Sequence, residues 1–270
     1  MRGRRAGVML LAGRSCCYGT PGWVFGSAED QTIRTDRTPM IRWVQLDTAK
    51  APDGDEELRL MQRGGEFSIM IGSNELMNSR LGGSEEALAR MSCERLRDRP
   101  ALRMLIGGLG MGFTLRAALV DLGPEARVTV AELAPAVVAW ARGPLAGVFG
   151  DSLADPRVDI HEGDVADLIA AGRSSYDAIL LDVDNGPEGL VRQANDRLYG
   201  VEGLLATRRA LRPGGVLAVW SSAPNRAFTQ RLHTTGYEAT EAKVRANGSR
   251  GGARHVIWIA IAPAASAGQT

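Results

Sequence analysis

The chain has 270 residues, 28.8 kDa, 44% hydrophobic, 23% charged and 5% aromatic. That supports one sizeable core with a small appendage and excludes disorder, a collagen-like fibre and a disulfide scaffold. Lys plus Arg number 32 against 31 Asp plus Glu, and a net charge of +1 offers no global field for nucleic acid or an acidic membrane.

Cys16, Cys17 and Cys93 are odd in number, two are adjacent, and none has metal-ligand spacing, so a reducing cytoplasm and no metal are expected. The N-terminus MRGRRAGVMLLAG imitates a signal peptide, but Gly7 interrupts its apolar stretch and no small-residue cleavage site follows. Residues 1–39 carry no periodicity and read as a disordered or non-native upstream extension, with Met40 as the expected start. No apolar run reaches the length that spans a bilayer.

From Met40 the pattern takes period two. IRWVQLD, ELRLMQR and EFSIMIG, separated by PDGD and RGGE, predict a small antiparallel β domain over residues 40–82. Ser84 is then predicted as the N-cap of a helix running to about Arg97, with Glu85 and Glu86 in its first turn, where carboxylates favour the helix dipole.

After Pro100 strands and helices alternate. LRMLI is a buried strand, and FTLRAALVDLG places Leu115, Leu119 and Leu122 on one helical face before Gly123 and Pro124. ARVTVAE is the second strand, APAVVAWARG a helix with Pro135 in its first turn, RVDI the third strand and DVADLIAAG a short helix. YDAILLD is apolar throughout, as a strand covered on both faces should be. VEGLLATRRAL, the turn RPGG and the strand VLAVW follow, and EATEAKVRA and RHVIWIAIA flank an NGSRGGA turn. Five βα units and a terminal hairpin predict an α/β fold over residues 83–270: a Rossmann-like, mostly parallel seven-stranded sheet with one reversed strand. Trp140 and Trp220 are expected in the core, the latter also within reach of a ligand, and Arg208, Arg209 and Arg212 are expected to be solvated.

The chemistry gathers at strand ends. IGGLGMG sits between a strand and a helix, where Gly107, Gly108, Gly110 and Gly112 let the backbone approach a ligand and the helix N-terminus offers free N–H groups. Glu132 ends the next strand, where a carboxylate accepts from both hydroxyls of a ribose. The spacing is not GxGxxG, and Met111 and Phe113 crowd a pyrophosphate position, so an adenosyl thioether fits better than NAD. In HEGDV, Asp164 and the Val165 amide suit an adenine edge, although Asp164 equally suits an N-cap. Asp182 and Asp184 end the fourth strand, placed to bind a cation or to take a proton from an attacking amine; Asp184 and Asn185 otherwise shape an Asn-Gly turn. His161, at a strand end, reads as structural.

From about Leu46 to Ile261 these pieces resemble the spermidine synthase family, the polyamine aminopropyltransferases. IGGLGMG matches the glycine loop, AEL the ribose motif, DPRVDIHEGD the adenine motif, YDAILLDVDNGP the catalytic strand end, and ELMNSRLGGSEEALA the segment entering the active site. The resemblance implies decarboxylated S-adenosylmethionine, or S-adenosylmethionine itself, as donor and a small amine as acceptor. It also implies Asp182 as proton acceptor, Asp184, Asn185, Tyr199, Glu85 and Glu86 around the acceptor, and homo-oligomers. The sequence departs where Leu109, Gly110 and Met111 replace a loop aspartate, where Glu85 and Glu86 replace a Tyr-His pair, where Leu76 replaces a glutamine, and where Asn185 replaces a second aspartate. Methyl transfer to a small molecule and a non-catalytic nucleoside-binding protein stay open beside aminopropyl transfer.

Overall fold

The computed structural model describes residues 41–52, 56–183 and 197–264, which belong to one compact unit. The period-two segment is a four-stranded antiparallel meander: β1 (Val44–Lys50), β2 (Glu57–Arg63), β3 (Glu66–Ile71) and β4 (Asn74–Asn78). Two-residue turns join β2 to β3 and β3 to β4, with Gly64 at φ +59° and Gly72 at φ +53° in the left-handed region that hairpin turns require. Leu58, Leu60 and Ile69 share the buried face. The fourth strand, NELMN, has no apolar alternation; it forms because Gly72 reverses the chain and pairs Asn74 with Ile71.

Helix α1 (Gly83–Arg95) begins two residues earlier than expected. Its N-cap is Gly82 with no side-chain cap, so Ser84 is not the cap. A Cβ at Gly82 would fall 2.2 Å from the Phe113 ring, and one at Gly83 2.3 Å from the Gly248 backbone. Close packing thus selects the glycines and moves Ser84 into the first turn, where its hydroxyl serves another purpose described below.

The remaining elements are β5 (Arg103–Gly107), α2 (Phe113–Asp121), β6 (Arg127–Glu132), α3 (Pro135–Arg142), α4 (Ala146–Phe149), β7 (Val158–Glu162), α5 (Val165–Ala171), β8 (Tyr176–Leu181), α6 (Val201–Ala210), β9 (Leu211–Ser221), α7 (Arg226–Thr234), β10 (Glu238–Arg245) and β11 (Arg254–Ile261). The second sheet runs β10-β11-β9-β8-β5-β6-β7, with β11 antiparallel to both neighbours, so the seven-stranded sheet with one reversed strand is as expected. Alternate residues feed opposite faces. Ile106, Ala178 and Leu180 join Leu88, Leu115 and Val137 from α1 to α3, while Leu105, Ile179 and Leu181 join Ile169, Leu204 and Phe228 from α5 to α7. RPGG lies within β9, looped out between the pairs Tyr176–Leu211 and Ala178–Val216, with Gly214 at φ +68°.

Trp140 is buried, and its Nε1 donates to Asp47 Oδ2 at 2.7 Å, tying β1 to α3. Arg212 is not simply solvated: it pairs at 2.8 Å with Asp177, which also accepts from Arg99 at 2.7 Å and from the Arg103 amide at 2.9 Å. Asp177 is buried, so its removal leaves two guanidinium groups and an amide without their acceptor. Asp177→Ala is expected to lower stability by about 3 kcal/mol, read as a shifted denaturant midpoint at unchanged slope. Among the described residues no helix is long and apolar enough to cross a membrane.

Candidate active site

Strands β5 and β8 are neighbours whose following connections leave in opposite directions, the switch point where a parallel sheet opens a crevice beyond its strand ends. The glycine loop closes one side. Gly108 has φ +95°, and a Cβ there would lie 2.3 Å from the Asp182 carbonyl oxygen, so only glycine lets the loop cross the end of β8. Gly112, at φ +73°, begins α2 against the Phe149 ring. Gly107 ends β5, and Gly110 borders the crevice.

The crevice has two lobes. One, of about 270 Å³, is lined by Gly108, Gly110, Glu132, Asp164, Val165 and Arg197 among others. The other, of about 440 Å³, is lined by Glu75, Met77, Glu85, Met111, Phe113 and Trp220 among others. Met77, Gly110 and Asp182 border both.

In the smaller lobe Glu132 ends β6, with Oε2 accepting from the Leu109 amide and Oε1 from the Ala134 amide, each at 2.9 Å. Burial raises its pKa, opposed by these amides and those of Gly110 and Leu133. The two direct bonds leave each oxygen a lone pair with which to accept from a hydroxyl. Asp164 is the N-cap of α5: Oδ1 accepts from the Ala166 amide at 2.8 Å, and Oδ2 pairs with Arg197 at 2.9 Å. The capping alternative is therefore realised, with the carboxylate still at the lobe's edge. Val165 beside it is buried. Arg197, which also pairs with Asp167, carried no signal in the sequence.

Asp182 is enclosed by protein atoms but keeps a half-buried edge on the crevice. Its Oδ2 accepts from Thr114 Oγ1 at 2.7 Å. Burial, reinforced by the charge of Glu85, pushes its pKa up to about 7 against the Thr114 hydrogen bond. Glu85 is pushed up chiefly by burial, with Glu86 adding to the shift and the Ser84 hydroxyl opposing it. The structure separates the predicted acidic pair: Glu85 faces the larger lobe, whereas Glu86 turns outward to Arg90 at 2.8 Å, one turn along the helix. Among the described residues lining the larger lobe the ionisable groups are Glu75, Glu85 and Asp182, all acids.

No protein-family model matches the chain. Over 153 residues it is 32% identical to polyamine aminopropyltransferase 1 of Streptomyces coelicolor, covering 54% of this chain and 28% of the relative. It is 33% identical over 138 residues to the polyamine aminopropyltransferase of Korarchaeum cryptofilum, covering 50% of this chain and 40% of the relative. The chain thus matches less than half the length of these curated relatives. Among solved structures, spermidine synthase from Thermotoga maritima aligns with a TM-score of 0.65 at 17% identity, over 82% of this chain and 74% of that one. A spermidine synthase in complex with the transition-state analogue AdoDATO aligns with a TM-score of 0.63 at 16% identity, over 82% and 73%. Over about half of its length the chain is similar in sequence to polyamine aminopropyltransferases, and it has the fold of the spermidine synthase structures.

The acceptor-side expectations fare unevenly. Tyr199 does not line either lobe: it is 1% exposed, its ring edge-on to Phe228 in the core beneath α7, because α6 starts just beyond it and turns it inward. Asp184 and Asn185 lie outside the described residues. Leu76, at the position of the family glutamine, borders the larger lobe and is 40% exposed. His161, on β7, lines neither lobe, its ring packing behind Gly163 of the smaller one. Met77, Glu75 and Thr114 were missed, since a methionine and a glutamate on a short strand and a threonine after a glycine loop look ordinary in sequence.

Proposed function

We propose that this chain transfers an aminopropyl group from decarboxylated S-adenosylmethionine to a small amine. One observation carries the reading: Asp182, a carboxyl whose pKa is pushed up to about 7, stands at the junction of a nucleoside-sized lobe and a lobe whose ionisable walls are all acidic. Glu132 and the Gly108–Gly110 backbone suit the ribose of an adenosyl donor, and Asp164 with the Val165 amide suits its adenine. The sulfonium then falls near the junction, and Glu85 and Asp182 stand beyond it. Acids there favour a tail ending in an ammonium, and they oppose the carboxylate carried by ordinary S-adenosylmethionine. In this way Glu85 supplies negative charge that Leu109, Gly110 and Met111 of the loop lack.

The chemistry is a displacement. The acceptor nitrogen forms a bond to the carbon beside the sulfonium, the C–S electron pair returns to sulfur, and neutral methylthioadenosine leaves. Asp182 takes the nitrogen's proton, a role for which a pKa near the working pH is suited. Thr114 holds the carboxyl in place, and proximity in the enclosed crevice supplies much of the acceleration. The reading places the β unit 40–82 over the acceptor and residues 83–270 around the donor, and it carries a cytoplasmic location and no metal.

Calorimetry on the full chain with decarboxylated S-adenosylmethionine, S-adenosylmethionine and methylthioadenosine tests this. The decarboxylated donor is expected to bind tightest, and amines are expected to release methylthioadenosine from it. Tighter binding of the ordinary donor, which the acid-free glycine loop would permit, makes methyl transfer the reaction instead. Failure of all three to bind removes both.

A further inference from the structure

Ser84, displaced from its expected capping role, is 0% exposed, and its hydroxyl lies 2.5 Å from Glu85 Oε2 and 2.9 Å from His255 Nδ1. Those partners come from α1 and β11, 171 residues apart in the chain for the serine and histidine. His255 is half-buried, its ring edge-on to Trp220 with centroids 4.8 Å apart, and Trp220 forms part of the larger lobe's wall.

A hydroxyl has one proton to donate, so the Ser84 O–H points either to Glu85 or to His255. If Ser84 donates to Glu85, Oε2 bears no proton, which favours the ionised carboxylate, and His255 carries its proton on Nδ1, donating to Ser84. If Ser84 donates to His255, then Nδ1 is bare, and Glu85 holds a proton that it donates to Ser84. Burial lowers the pKa of His255, so at neutral pH the ring carries a single N–H and its tautomer reports which state is present. Two carboxyls facing one lobe do not both ionise cheaply, as the charge of Glu85 on Asp182 shows, so groups that favour the anion at one assign the proton to the other.

Resting on the amine-acceptor reading, we propose that His255, acting through the Ser84 hydroxyl, is a positioning residue that keeps Glu85 ionised and aimed at the acceptor's cationic end. Asp182 is thereby left as the carboxyl that receives the proton. The donor chain is His255 Nδ1–H to Ser84 Oγ, then Ser84 O–H to Glu85 Oε2, with every proton placed.

Long-range proton–nitrogen NMR on the full chain tests it without turnover, since the protein has only three histidines, His161, His233 and His255. At neutral pH His255 is expected as the Nδ1–H tautomer, converting to Nε2–H in Ser84→Ala, where the acceptor is gone. The second readout is calorimetric binding of 1,4-diaminobutane. Ser84→Ala and His255→Phe are each expected to weaken it about tenfold, the scale of one hydrogen bond to a charged group. His255→Phe keeps a ring against Trp220, and Ser84→Ala removes a single oxygen, so a folding defect in one variant leaves the other informative. An Nε2–H tautomer in the native protein overturns the relay whatever the protein binds, and unchanged diamine affinity in both variants overturns its role. A native protein that shows the Nδ1–H tautomer yet binds no diamine supports the relay and overturns the acceptor reading.

Discussion

Asp182→Asn is expected to reduce turnover by about 10²–10⁴-fold, the usual worth of a positioned general base, while leaving donor affinity within a small factor. Asparagine has the shape of aspartate and keeps a partner in Thr114, but it has no site for the amine's proton. In the native protein kcat/KM should rise with pH as Asp182 ionises, levelling off above about 7. The same substitution should stabilise the fold. The folded pKa lies above the ordinary aspartate value of 3.8, so the native state holds a proton that the unfolded chain has released. The native protein therefore loses stability as pH rises from about 4 to about 7, and Asp182→Asn escapes that loss. Its advantage should be absent near pH 4 and reach on the order of 1–4 kcal/mol above pH 7, measured by thermal melts at both ends. A variant that is inactive and unstable at every pH would mean that Asp182 is a structural brace rather than a base.

Glu132→Gln tests the donor lobe. The carboxylate accepts from the Leu109 and Ala134 amides on separate oxygens, and a carboxamide offers only one acceptor oxygen. One amide then faces an N–H₂ group, which costs about 1–3 kcal/mol of stability, and the ribose loses a charged partner and one of its two acceptor oxygens. Affinity for methylthioadenosine should fall roughly 10- to 100-fold, the scale of hydrogen bonds to a charged group. Methylthioadenosine is the right probe because it carries the ribose without the cationic tail, so the acids of the larger lobe do not enter the comparison. Unchanged affinity in a destabilised variant would reduce Glu132 to a strut of the glycine loop.

Much of the scaffold was legible because its signals are local. The apolar run YDAILLD announced a strand buried on both faces, and Ala178, Ile179, Leu180 and Leu181 are all fully buried. NGSRGGA between two alternating segments announced the closing hairpin, and β10 and β11 pair as expected. The glycine loop, Glu132 and Asp182 follow from position alone, since a parallel sheet puts the ends of successive strands on one edge. Less was legible where a side chain's direction matters. Glu85 and Glu86 are adjacent acids, and a helix turns neighbouring residues about 100° apart, so one faces the crevice and the other meets Arg90. Ser84 has the composition of an N-cap, but the close approach of Gly82 to Phe113 decides where the helix starts. Tyr199 matched a motif position, yet the start of α6 directs it into the core.

By itself the sequence determined the α/β class, the alternation of strands and helices after Pro100, the reversed last strand and the strand-end places of the glycine loop, Glu132 and Asp182, because periodicity, glycine placement and strand-end carboxylates act over a few residues. Only the tertiary structure decided which acids share a lobe, that Thr114 holds Asp182, and that His255 reaches Glu85 through Ser84. Those facts depend on dry packing between segments far apart in the chain, and it is this burial that moves the Asp182 pKa to about 7 and gives an ordinary carboxylate its proposed chemistry.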